Sequence, residues 1–367
     1  MGADRRRERI DALIRALEAG GLDALLVTAR PNVRYLTGFS GSAALVVVTR
    51  ADVLLVTDFR YGAQAQAEAG AVARVVVERA NVWERLFQEL PGLGPLEWVG
   101  YEAHVLTVKD AERLTGPEAP AGPWRWRAAG ELVERLRERK DPDERRAIRA
   151  AAELASLALA RTLEAVRPGL TELEVAGLLE GHLRRLGSEG HPFPTIVASG
   201  PRTALPHARA GRRAVEAGEF LLVDFGATVD GYCADITRTV VVGGRATGSQ
   251  RALYELVRAA QHRVREGLRP GMTGAEADAL ARDLITARGF GDAFGHSTGH
   301  GLGLEVHEAP RLSKTNAAPL PVDAVVTVEP GVYVAGQGGV RIEDDVHLSA
   351  EGPVLLSDGE TELLELV

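Results

Sequence analysis

The chain has 367 residues, of which 45% are hydrophobic and 26% charged, and a formal net charge of −8. That length makes two domains the expectation, and the composition is that of an ordinary soluble globular protein. The negative balance argues against a broad phosphate-binding surface, so nucleic acid is not an expected partner. The single cysteine, Cys233, cannot form an internal disulfide and fits a reducing cytosol, which makes the expected location cytoplasmic.

In chain order, the arginine-rich start MGADRRRERIDALIRALEAGG reads as an amphipathic helix over about 4–19. It lacks the apolar run of a signal peptide, and Arg6 breaks the myristoylation pattern. LDALLVTA, SAALVVVT, DVLLVTD, RVVVE and EWVGYE come next as apolar, β-branched strand segments with short helical stretches between them. The expectation is an α/β domain over 1–127 that closes in a Pro- and Gly-rich linker, TGPEAPAGPWRWR (115–127), with Trp124 and Trp126 as packing residues. No segment reaches the roughly eighteen apolar residues of a membrane helix, so no membrane association is expected.

Residues 128–367 change style, to longer amphipathic helices followed by strands, and contain an internal repeat. RPGLTELE (167–174) and RPGMTGAE (269–276) each come after a long helix, about 143–166 and 249–267. Each starts a second helix with a capping box, Thr171 with Glu174 and Thr273 with Glu276. Taken alone, RPG-x-T is no more than a good helix–helix connection. The histidines and carboxylates downstream of each copy raise it above that. Counted from the capping threonines, His207 lies at +36 and His307 at +34, Asp224 at +53 and Glu329 at +56, Asp235 at +64 and Glu343 at +70. Two halves related by a pseudo-two-fold would bring these two sets together at their junction.

EFLLVDFGATVDGYCADITRTVVV (219–242) reads as two strands joined by a turn at Val229-Asp230-Gly231. Asp224 and Asp235 then share a face, directly opposite or one diagonal apart. The plain alternative is an edge hairpin with solvated aspartates, which suits Asp230 but sits badly with the apolar flanks of the other two. Cys233 between them reads as a packed core thiol. DAVVTVEPGVYVAGQGGVRIEDDVHLS (323–349) repeats the design, with Glu329 ending one strand and Glu343 within the next. Arg341, two residues before Glu343, is expected to orient a carboxylate. Asp344 and Asp345 are expected behind the site or in solvent.

GHSTGHGLGLEVHE (295–308) holds His296, His300 and His307. The i, i+4 spacing of the first two suggests a helical zinc site, but Ser297 stands where such a motif needs Glu, and four glycines would cripple the helix. In an extended chain the odd seven-residue spacing points His300 and His307 to opposite sides, which implies different tasks. Histidine with several carboxylates is a hard, oxygen-rich donor set that favours manganese or another divalent first-row ion, with cobalt or zinc as alternatives. Five donors suit two ions about 3.5–4 Å apart, able to acidify a bridging water and polarise a carbonyl, and amide hydrolysis is the natural use.

The motifs TIVASGPRTALPH, DFGATVDGYCAD, GHSTGHGLGLEVHEAPR, VEPGVY and GVRIED together resemble those of the pita-bread metallopeptidases. With the N-terminal NVRYLTGFSGS (32–42), nearly the whole chain resembles Xaa-Pro aminopeptidases and prolidases. The resemblance implies an α/β N-terminal domain and an α+β pita-bread (creatinase/aminopeptidase-like) catalytic domain with an internal pseudo-two-fold. It implies Asp224, Asp235, His300, Glu329 and Glu343 as ligands of two divalent ions, Asp235 and Glu343 bridging. It further implies Glu329 as handler of the water's proton, His207 and His307 as ligands of the substrate carbonyl, and His296 as a wall of the proline pocket. Arg311 matches an arginine that binds a substrate carboxylate in some prolidases, although a solvated loop arginine would look the same. The implied activity is hydrolysis of an N-terminal Xaa-Pro bond by a metal-bridging hydroxide, on proline-containing di- or oligopeptides, in a homodimer. A methionine-type aminopeptidase would share the ligands without needing the N-terminal third, and a non-catalytic pita-bread binding protein would leave a complete ligand set unexplained. His104, His182, His262 and His347 read as surface or packing residues, and His191, beside a motif, as a candidate for the pocket wall.

Overall fold

The structure, a computed structural model, describes residues 3–357 and 361–367. The chain divides into two compact units, Met1–Arg137 and Glu138–Val367.

The first unit comprises α1 (Ala3–Ala19), β1 (Ala24–Val27), α2 (Arg30–Thr37), β2 (Ala44–Thr49), β3 (Val53–Asp58), α3 (Gly62–Ala69), β4 (Arg74–Glu78), α4 (Val82–Glu89), β5 (Trp98–Glu102), α5 (Val108–Thr115), β6 (Arg125–Ala129) and α6 (Leu132–Arg137). Its six strands form one mixed sheet in the order β4-β3-β2-β1-β5-β6. The central β1 is buried along its whole length, whereas the edge strands β4 and β6 alternate towards solvent. Ile10, Leu13 and Leu17 of α1, at helical spacing, are buried. The unit ends ten residues later than the sequence suggests. The segment expected as a linker over 115–127 contains the start of β6, which pairs in parallel with β5, and Trp124 is a core residue beside it. Beyond β6, α6 is held to the same unit by buried Val133 and by Arg137, whose Nη1 donates to Asn32 Oδ1 at 2.7 Å.

The second unit runs α7 (Pro142–Leu163), α8 (Glu172–Leu186), β7 (Ile196–Ser199), β8 (Glu219–Phe225), β9 (Thr228–Val229), β10 (Tyr232–Cys233) and β11 (Ile236–Val242). It then repeats the plan with α9 (Gly248–Gly267), α10 (Gly274–Ala287), β12 (Gly299–Gly301), β13 (Glu308–Leu312), β14 (Ala324–Val328), β15 (Gly331–Val334), β16 (Gly338–Arg341), β17 (Asp344–Ser349), β18 (Gly352–Leu355) and β19 (Glu365–Leu366). Both expected capping boxes form, at Thr171 and Thr273. Each capping threonine also bridges a later segment of its own half, Thr171 with Ala214 and Thr273 with Pro319. The strands make two sheets, β19-β11-β8-β7 and β13-β12-β14-β17-β18, and a small hairpin interrupts the corresponding pair in each half, β9/β10 and β15/β16.

Side-chain parity decides which face carries chemistry. Leu221, Val223 and Phe225 of β8 and Ile236, Val240 and Val242 of β11 pack with α7 and α8. Ala324, Val326 and Val328 of β14 and Val346 and Leu348 of β17 pack with α9 and α10. Successive strand residues face opposite ways, so Asp224, Asp235, Glu329 and Glu343, all of the other parity, turn away from the helices.

Candidate functional site

Asp224 lies opposite Thr237 in the β8–β11 ladder, which puts Asp235 one diagonal away on the same face. Val328 pairs with Asp344, so Glu329 and Glu343 extend that ladder by one position. Glu343 therefore lies just before β17 rather than within a strand, and there it meets the other half: its N–H donates to the Thr237 carbonyl at 3.1 Å, and Thr237 Oγ1 donates to Glu343 Oε2 at 2.5 Å. One bridge between the sheets thus brings the carboxylates of the two repeats together.

His300 occupies the middle of the three-residue β12. Its Nδ1–H donates to the Gly301 carbonyl at 3.0 Å, which fixes the tautomer and leaves Nε2 a free lone pair. Nε2 lies 3.5 Å from Glu329 Oε1 and 3.7 Å from Asp235 Oδ2. Ligand atoms of Asp235, His300 and Glu343 all fall within 4.8 Å of one another. The flanking glycines are needed for space: a Cβ at Gly299 would strike the Thr327 carbonyl oxygen, and one at Gly301 the Ala309 carbonyl. The straight-strand expectation for His300 and His307 fails, because the register shifts at His300/Gly301 and the chain turns back into β13. The two rings lie side by side, centroids 4.4 Å apart.

Arg341 ties the cluster together. It donates through Nη2 to Asp224 Oδ2, through Nε to Thr237 Oγ1 at 3.0 Å, and through Nη1 to Tyr333 Oη at 2.6 Å and the Pro206 carbonyl at 3.3 Å. The Tyr333 hydroxyl, accepting from Arg341, is left to donate to His296 Nε2 at 2.9 Å, while His296 Nδ1–H donates to the Ser297 carbonyl at 2.8 Å. Tyr333 and Thr237 are the residues sequence reasoning missed. Tyr333 ends VEPGVY and Thr237 lies two residues beyond DFGATVDGYCAD, but a hydroxyl in a strand looks like any β-former there.

The electrostatics ask for cations. Burial raises Asp224 despite Arg341 beside it. Asp235 is pushed far up by burial and then by Glu343 and Asp224, and Glu343 by burial and then by Glu329 and Asp224. Burial takes Glu329 to about 8 and lowers His300 and His296 to about 4 each. Asp235 Oδ1 is buried without a hydrogen-bond partner. One guanidinium does not balance four carboxylates, so this donor set fits divalent ions.

Asp344 and Asp345 are not solvated; both are fully buried. Asp344 falls on the helix side, where Arg238, Gln261 and Ser357 donate to it at 2.8, 2.6 and 2.7 Å. Asp345 Oδ2 accepts from the Asp235 N–H at 3.2 Å. The structure brings His207, Asp224, Asp235, His296, His300, His307, Arg311, Glu329, Arg341 and Glu343 around one cavity of about 850 Å³. His207 comes from the loop after β7 and Arg311 from β13, opposite His300. Desolvation and then Arg311 lower His307. The further wall is Leu173, Ala176 and Gly177 of α8 with Phe193, Pro194, Thr195 and Ile196, and not His191. Cys233 is buried among apolar side chains.

This fold and donor set have a known counterpart. Residues 146–350 match the metallopeptidase family M24, and residues 9–139 match the creatinase/prolidase N-terminal domain. The chain belongs to the M24 metallopeptidases, hydrolases that use divalent metal ions. Among its relatives, the Xaa-Pro dipeptidase of Pyrococcus furiosus is 34% identical over 98% of this chain and 100% of its own length. Among solved structures, the Xaa-Pro dipeptidase from Bacillus anthracis superposes with a TM-score of 0.94 at 39% identity, over 98% of this chain and 100% of that one. The X-Pro aminopeptidase from Thermotoga maritima gives 0.89 at 36% identity, over 97% and 99%. Among the described residues no helix is long and apolar enough to cross a membrane.

Proposed function

We propose that this metallopeptidase hydrolyses the peptide bond between an N-terminal residue and a following proline, with dipeptides as its preferred substrates. The observation that carries the reading is the convergence of carboxylates, histidines and two arginines around one cavity. The names of the relatives support the Xaa-Pro specificity. Asp224, Asp235, His300, Glu329 and Glu343 would hold two divalent ions, manganese by the hardness of the donors. When bound, these ions supply Lewis acidity and a water of lowered pKa.

The chain's own groups do the rest. Glu329, raised to about 8 in the protein alone, takes the water's proton on a carboxylate oxygen and returns it to the leaving nitrogen. His307 and His207 donate ring N–H groups to the oxygen of the scissile carbonyl, where charge develops. His296, neutral and packed against Phe294 and Tyr333, forms a wall for the prolyl ring. Arg341 fixes Asp224 and Tyr333 in place. Arg311, exposed on the cavity wall, receives the free carboxylate of a dipeptide.

A second reading, an aminopeptidase acting on longer peptides, is favoured by the extension of the same cavity along α8. A paired assay with Mn²⁺ separates them: an Xaa-Pro dipeptide should be cleaved faster than Xaa-Pro-Xaa, and Arg311→Ala should reverse the order by raising the dipeptide's KM. Faster cleavage of the tripeptide by the unaltered chain favours the aminopeptidase. Hydrolysis of Met-Ala-Ser alone would sink both and indicate a methionine-type enzyme. We further propose a cytoplasmic homodimer, the first because a chain with a single cysteine cannot form an internal disulfide and the second on the family resemblance, checked by fractionation and light scattering.

A further inference from the structure

His207 is exposed, and among the described residues its ring has no hydrogen-bond partner, so its place in the cavity is set by the loop that carries it. That loop, 199–211, is closed at its base by one carboxylate. Glu172, the first residue of α8, has a side chain with no exposed surface. Its Oε1 accepts from Ser199 N–H at 2.9 Å and Ser199 Oγ at 3.0 Å, and its Oε2 accepts from Gly211 N–H at 2.9 Å. Both ends of the loop therefore hang on the two oxygens of one buried group. Arg202 Nε donates to the same carboxylate at 3.0 Å, and its Nη2 donates across the loop to the Arg209 carbonyl at 2.6 Å. The tip is tied in turn to the other half of the unit. Gly339 N–H donates to Thr203 Oγ1 at 2.7 Å, and Arg341 reaches the Pro206 carbonyl next to His207.

We infer that Glu172, with Arg202, is a positioning residue for catalysis: it closes the 199–211 loop so that His207 is presented to the scissile carbonyl. This rests on the reading of His207 as a ligand of that carbonyl. A group that must meet a developing charge loses on the order of 10²-fold in rate when displaced by about 1 Å. The Glu172→Gln side chain keeps the shape but puts an NH₂ where an N–H donor needs an acceptor, so one end of the loop is released.

The test is a double-mutant cycle on the manganese-loaded full chain with an Xaa-Pro dipeptide. Glu172→Gln should lower kcat by on the order of 10²-fold, with KM and bound metal little changed. In a His207→Ala background it should cost nothing further. Arg202→Lys, at a part-exposed site that tolerates change, should give a smaller loss of about tenfold that also vanishes without His207, and it carries the same cycle if Glu172→Gln does not fold. Amide exchange over 203–208 should quicken in Glu172→Gln while that over 296–301 stays as it was. Wild-type kcat in both single variants, losses that multiply in the double variants, or unchanged exchange of the loop would each overturn the inference. Full activity of His207→Ala with quickened exchange in Glu172→Gln would instead locate the failure in the assignment of His207, and the catalytic role of the clamp falls with it.

Discussion

The two halves of the second unit reach the same site by opposite local means. In the first half the residue after the capping threonine is Glu172, and its side chain reaches out to hold the following loop. In the second half that position is Gly274, where a Cβ would run into the Arg311 carbonyl oxygen and the side chain of Asn316. There the loop reaches in: Asn316 Nδ2 donates to the Arg311 carbonyl at 2.7 Å, and Gly274 N–H donates to the Ala318 carbonyl at 3.2 Å. The carboxylates differ as well. The first half uses two aspartates set diagonally, the second two glutamates that continue a ladder. What the repeat preserves is the position of the functional atoms, and the side chains that secure them are free to change sides.

The sharpest test of this equivalence is the pair taken one from each half. Asp235→Ala and Glu343→Ala should each abolish hydrolysis, by on the order of 10³-fold or more, and each should reduce bound metal by elemental analysis. Two ions retained in either variant would break the bridging assignment and the symmetry with it.

A weaker effect is expected from pH. Asp235 and Glu343 stand far above ordinary carboxylates in the folded chain and Glu329 stands at about 8, while unfolded carboxylates lie near 4. The folded, metal-free chain therefore binds more protons than the unfolded one. The stability these groups contribute is full below about pH 4 and is lost as pH rises through the folded values, up to about 8 for Glu329. With a chelator, Tm should fall between pH 6 and pH 8, and Mn²⁺ should raise it more at pH 8 than at pH 6. A chelated protein equally stable at both values would contradict the desolvated cluster.

The smallest effects compare the caps. Thr171→Ala and Thr273→Ala should each cost about 1 kcal/mol in urea unfolding. Gly274→Ala should cost about 1–3 kcal/mol by overpacking against the chain. A stabilising Gly274→Ala would mean that the second half has room for the device used by the first.

Much of this was legible in the sequence because the chemistry rests on few residue types in short motifs. Ten candidate residues read from those motifs line one cavity, and the capping boxes and the shared face of Asp224 and Asp235 come from local rules. What was not legible depends on neighbours. Alternation says that Asp344 and Asp345 face opposite ways, but not that α9 covers one side with Gln261. The seven-residue count between His300 and His307 assumed a straight strand, and a bulge undid it. Pro and Gly density marked 115–127 as a linker although it leads into an edge strand. Glu172 reads in sequence as an ordinary first-turn acid, because its partners lie 27 to 39 residues away.

The glycines around His300 are easily taken for flexibility, and their surroundings say the reverse. Gly299 and Gly301 leave β12 pressed between the backbones of its neighbours, so the one side chain of that strand is seated like a tooth in a rack. If His300 binds an ion as proposed, a ligand held in this way has little room to swing aside when the ion leaves. The lone pair stays aimed, the next ion meets a finished socket, and little reorganisation separates the loaded from the unloaded state.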